Sequence, residues 1–224
     1  MTTTTVKRGN RTPAPSTSRP DGFTVVDSDK SLGYNAPQRM GQKMWLPMFA
    51  MALMGWGVGF VLAIIEADTA RTDIDALQNL GHLVPAFMFI GFFGVFSAIT
   101  FAVARILGEF RKGGGEVQEM SGASVQTMKM PMTAKAMLSF MMMGMMIMAA
   151  GIITNFVGAG AFDGSNPADL IDSTQYAVAS AGLRRLGVVM YLTGIALGLA
   201  TIIEVLRFQA IRIREVATSH GHQH

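Results

Sequence analysis

Thioethers and imidazoles are the side chains here best suited to binding chemistry. The 224 residues include 19 methionines and 4 histidines but no cysteine. Met137, Met141, Met145 and Met148 recur at i, i+4, i+8, i+11 and share one helical face, and Met44, Met48, Met51 and Met54 repeat the pattern nearer the N-terminus. Thioethers favour Cu(I), so two such stripes brought together would form a soft-metal site or path. Methionine is also a flexible apolar filler at irregular helix contacts, and Met142, Met143 and Met146 cover other faces of the same segment, which favours packing. No cofactor is expected on balance. Copper is the alternative, with His82, Met137, Met141 and Met145 as candidate ligands.

His82 follows an acidic stretch holding Glu66, Asp68, Asp73 and Asp75, which could build a small metal or proton site. An interfacial imidazole contacting loop backbone or water is the preferred reading. His220, His222 and His224 alternate in a terminal tail that could chelate a divalent ion, but they leave His82 without an intramembrane partner for a haem held within this chain. Absence of cysteine excludes disulfides, thiolate metal sites and thiol nucleophiles. Ser97, Thr100, Ser139 and Thr193 offer hydroxyls, yet helical spacing sets no His, Lys or carboxylate beside them, so catalysis by this chain alone is not expected. Gly113, Gly114 and Gly115 lead to Glu116 rather than to a Lys and a Ser or Thr, so they make no phosphate cradle.

The elements that must position these residues are four apolar runs at about 44–65, 83–107, 137–157 and 186–206. At 1.5 Å per residue each covers a hydrocarbon core roughly 30 Å thick, which predicts an all-α integral membrane protein, a four-transmembrane-helix bundle. Residues 1–40 are rich in Thr, Ser, Pro, Gly and charge and are expected to form a disordered tail, although Gly22–Val26 or Ser31–Tyr34 could dock on a neighbouring surface. Residues 41–208 would form the membrane domain and 209–224 a second tail. The first run starts too late, and is too long, for a secretory signal, so it should remain in the mature protein.

Charge orients the runs. Fifteen of the 18 basic residues lie before the first run, in the central connection with Arg105 in the last turn leading into it, or after the last run, whereas the other two connections carry Glu66, Asp68, Asp73, Asp75, Asp163, Asp169 and Asp172 against Arg71, Arg184 and Arg185. The positive-inside rule puts both termini and the central connection in the cytoplasm, in a cytoplasmic (inner) membrane by default. Trp45 falls at the predicted inner boundary and Trp56 near mid-span, where it should pack between helices.

Close backbone approach is signalled by Gly55 with Gly59 and by Gly194 with Gly198, within this chain or against another. Overlaying the halves aligns Lys43 with Lys135, Gly59 with Gly151, His82 with Arg185 and Gly91 with Gly194, a sparse repeat that suggests two similar hairpins. The glycine triplet is expected to stop the second helix. Glu204 should pair with Arg207 one turn on, Asn155 should hydrogen-bond between helices, and Arg184 and Arg185 should meet the nearby carboxylates, an anionic lipid or a partner.

The middle of each run lacks Asp, Glu, Lys, Arg and His, which weakens ion-coupled transport through one subunit, and the basic residues track the membrane edge rather than a nucleic-acid surface. The expectation is a structural or accessory multi-pass subunit of a larger membrane complex. Its partners would be the bilayer and other membrane subunits, not nucleic acid, with self-association open. A small homo-oligomeric transporter or channel is the first alternative, and a copper-handling or redox-complex subunit the second.

Overall fold

The structure, a computed structural model, describes residues 16–28, 32–70, 73–161 and 167–221. Four helices dominate: α1 (Ala36–Thr69), α2 (Ile74–Met120), α3 (Met132–Gly160) and α4 (Pro167–Gly221). Each is long and apolar enough to cross a membrane, and each contains one of the four runs. Three short strands, β1 (Ser16–Ser18), β2 (Thr24–Ser28) and β3 (Val125–Met128), form an antiparallel sheet in the order β1-β2-β3. The chain divides into two compact units. One comprises the described parts of Met1–Gly33, Arg111–Lys129 and Arg207–His224, and the other Tyr34–Phe110 and Met130–Leu206.

The first unit corrects two expectations. Residues 16–28, expected in a disordered tail, form a hairpin whose turn Arg19-Pro-Asp-Gly22 uses Gly22 at φ +86°. The Arg19 amide donates to Phe23 O at 2.8 Å, and β2 then pairs Val25 with Met128 and Val26 with Thr127. Val25 and Val125 are buried, and Phe23 meets the buried Phe208 ring edge-on at 5.5 Å, so the few apolar residues of this segment do find a core. The glycine triplet does not stop α2, which runs on to Met120 and ends in a Schellman turn: Gly122 (φ +71°) donates to Glu119 O and Ala123 to Gln118 O. A packing reason for the continuation lies at Gly114, where a Cβ would collide with Gln209 and Arg212 of α4. The buried Arg212 guanidinium donates to Gly114 O at 2.7 Å and to Gln118 Oε1, and Gln118 Oε1 also accepts the Gln126 amide of β3 at 2.8 Å. Arg19 completes this polar hub by contacting Asp21, Gln126 and Glu215.

In the second unit the buried positions of α3 are Ala134, Met137, Met141, Gly144, Met148, Gly151, Asn155 and Gly158. Steps of three and four alternate without a break, the 3.5-residue period of a left-handed coiled-coil seam. Facing it on α4, Tyr191, Gly194, Gly198 and Thr201 follow the same rhythm. The four buried residues of α1, Gly41, Ala52, Gly55 and Gly59, lie on one face and meet α2: Gly41 against Phe101 and Arg105, Ala52 against Gly94, Gly55 against Gly91 and Gly59 against Met88. The glycines at 55 and 59 and at 194 and 198 therefore serve contacts within the chain.

Candidate functional site

Polar groups collect where α2, α3 and α4 meet near the start of α2. His82 is about two turns inside α2 and 2% exposed, with its Nε2 2.7 Å from Oγ of the buried Ser173 on α4. Gln78 Nε2, one turn earlier on α2, donates to the same hydroxyl at 3.3 Å. Gly158 on α3 makes room for the imidazole, since a Cβ there would come within 2.8 Å of His82 Cε1. The expected interfacial histidine, wetted or bonded to loop backbone, is instead a buried group between helices. Its Nδ1, like Asn79 Oδ1, has no hydrogen-bond partner among the described residues.

One turn before Gly158 stands Asn155, which accepts a hydrogen bond from Ser180 Oγ of α4 at 3.0 Å and donates to Gly151 O at 3.3 Å. It is the interhelical hydrogen-bonder that its residue type suggested. Ser180 passes the connection on, because its carbonyl accepts from Arg184 Nε at 3.2 Å. The Arg184 guanidinium lies 4.6 Å over the Phe89 ring of α2, and its stem crosses Gly151 of α3. Among the described residues no carboxylate lies within ion-pair distance of Arg184 or Arg185, so the expected meeting with the neighbouring acids is not seen there; Asp163 and the Asp169 side chain fall outside the described set.

Chemically, His82 and Ser173 resemble the base and nucleophile of a hydrolase only in type. No carboxylate among the described residues orients the imidazole at Nδ1, and both side chains are closed to solvent. What the cluster does provide is a string of hydrogen bonds tying three helices at one end, where unsatisfied groups in an apolar surround would be costly.

The methionine candidates lie elsewhere. Met148 seats on Gly187, Met141 on Gly194 and Met137 on Gly198, each thioether side chain in its own notch of α4, while Met145 is half-buried against the same core. Gly158, which marks the level of His82, is ten residues past Met148 on α3, about 15 Å along the axis. His82 and the three methionines are therefore not brought to one point. The α1 stripe separates too: Met48 lies against Gly94 of α2 whereas Met54 is 65% exposed. Among the described residues no group of three or more His, Asp or Glu could hold a metal, and His220, His222 and His224 fall outside what can be described at side-chain level.

Two smaller polar contacts complete the interior. Ser97 Oγ and the Tyr191 hydroxyl, both buried, lie 3.1 Å apart and join α2 to α4 at mid-helix. Glu204 does not pair with Arg207 among the described residues; its carboxylate accepts from Thr133 Oγ1 at 3.1 Å, in the first turn of α3, where the helix dipole favours an anion. Comparison with protein-family models, curated proteins and solved structures finds no match to the chain.

Proposed function

We propose that this chain is a structural or accessory subunit of a larger membrane complex, inserted through all four helices with both termini on the cytoplasmic side. One observation carries the reading: α1 sets its four buried small residues against a single neighbour and leaves Leu46, Phe49, Leu53, Met54, Val58 and Phe60 exposed. Only 17% of its apolar window is buried, against 39% for α2. In a bilayer such a helix is open to lipid and to the spans of other subunits, and close packing with them would be driven by shape rather than by water.

Mild detergent extraction followed by native mass analysis tests the proposal. The expected result is a hetero-complex of defined mass containing this chain. A stable homo-oligomer that carries solute flux in liposomes would replace the reading with the transporter alternative. Orientation has its own test, helped by the absence of native cysteine. Single cysteines introduced at Lys112 and Asp172 should label from opposite sides of the membrane, with Lys112 reached only from the cytoplasm.

A further inference from the structure

We propose that Arg184 and Arg185 bind the phosphate of an anionic lipid headgroup at the His82 end of the helices. Hydropathy along α4 alone puts both arginines just outside its apolar run, which begins at Leu186. Packing gives them a different depth. Arg184 crosses Gly151 of α3 and stacks on Phe89 of α2, and the neighbouring pairs Met148 with Gly187 and Asn155 with Ser180 keep the same register. Gly151 stands six residues inside the end of the α3 run at Val157, so the backbone of Arg184 beside it lies about 9 Å within the apolar band.

A guanidinium at that depth must find a counter-charge or reach the interface. Arg184 reaches: its Nε bonds Ser180 O, four residues toward the α4 N-terminus, so the side chain extends toward the nearer membrane face. One face of the guanidinium plane is taken by Phe89 and Nε by Ser180, while neither terminal nitrogen has a hydrogen-bond partner among the described residues. Arg185 is exposed beside it, on an outward surface shared with Val178, Leu186 and Val189. Two adjacent cations with no carboxylate in reach among the described residues suit a phosphate, which accepts the guanidinium fork in two bonds. Apolar neighbours on this surface make lipid the source: a headgroup can follow its own tails along Val178 and Val189, where a free anion would have to shed its water.

The test is native mass spectrometry of the purified full chain titrated with phosphatidylglycerol or phosphatidylcholine, with inorganic phosphate as competitor. Phosphatidylglycerol should be held in preference to phosphatidylcholine, and Arg184→Gln/Arg185→Gln should weaken it roughly tenfold or more. Millimolar inorganic phosphate should not displace it. Equal binding of the two lipids, or a double variant of unchanged helicity that holds phosphatidylglycerol as well as the parent, would overturn the proposal. Displacement by inorganic phosphate would overturn the lipid source. So would a co-purifying chain lost on Arg185→Gln while lipid binding stayed the same, because a protein carboxylate would then be the counter-charge. Arg185→Gln alone, at an exposed position outside the polar cluster, keeps the test decisive if the double variant does not fold.

Discussion

The α1–α2 and α3–α4 seams solve the same packing problem by different means. Between α1 and α2 the central contacts are backbone on backbone, flanked by the side chains of Met88 at Gly59 and Trp56 at Gly91: a Cβ at Gly94 would meet Ala52 N at 2.7 Å and Met48 O at 2.8 Å, and one at Gly55 would meet Gly91 N at 2.7 Å. Between α3 and α4 a flexible thioether occupies each of the α4 notches at Gly187, Gly194 and Gly198, and Asn155 with Ser180 and Thr133 with Thr201 add hydrogen bonds. Gly59 and Gly151, which the sequence overlay aligns, hold matching places, since each faces the helix that follows it. The first seam is rigid and intolerant of volume. The second can adjust, because methionine has three rotatable bonds with which to move aside.

The contrast can be broken most directly at Gly94. Gly94→Ala sets a methyl against immovable backbone and should cost about 2–3 kcal/mol in reversible unfolding from mixed micelles. A loss below about 1 kcal/mol would mean that the α1–α2 seam also yields. Asn155→Leu should cost about 1 kcal/mol in the same assay, because Ser180 keeps its bond to Ala177 O. Tyr191→Phe keeps the ring in the α3–α4 seam and removes only the hydroxyl contact with Ser97 of α2, so a loss near 0.6 kcal/mol is expected. Gly198→Ala is the mildest. Its Cβ would meet Met137 Sδ at 3.0 Å, the far end of a mobile side chain, and the change should stay within about 0.5 kcal/mol. A cost at Gly198 equal to that at Gly94 would erase the distinction between the seams.

The four long apolar helices could be read from sequence because runs of apolar side chains need no tertiary information to be recognised. Which glycine faces which methionine could not, since Met141 and Gly194 are 53 positions apart and their meeting depends on how two whole helices align. The level of Arg184 among the helices was hidden for the same reason: the α4 run begins at Leu186 by composition, while the packing register is set by Gly151 of α3. At Gly113–Gly115 local propensity argued for a helix end, and tertiary contacts from Arg212 to Gly114 and Gln118 oppose it. His82 was visible as a candidate but not as a buried one, because its surroundings come from Ser173 and Gly158 on other helices.

The sheet carries a consequence for biogenesis. β2 ends at Ser28, and its partner β3 begins only at Val125, after α1 and α2 have been made. At roughly 5–20 residues per second, synthesis leaves β2 without β3 for about 5–20 seconds. Until then Val25 and Val26 have only β1 to pair with, so one edge of the N-terminal hairpin stays open while α1 and α2 are synthesised, and the three-stranded sheet closes only after both helices exist.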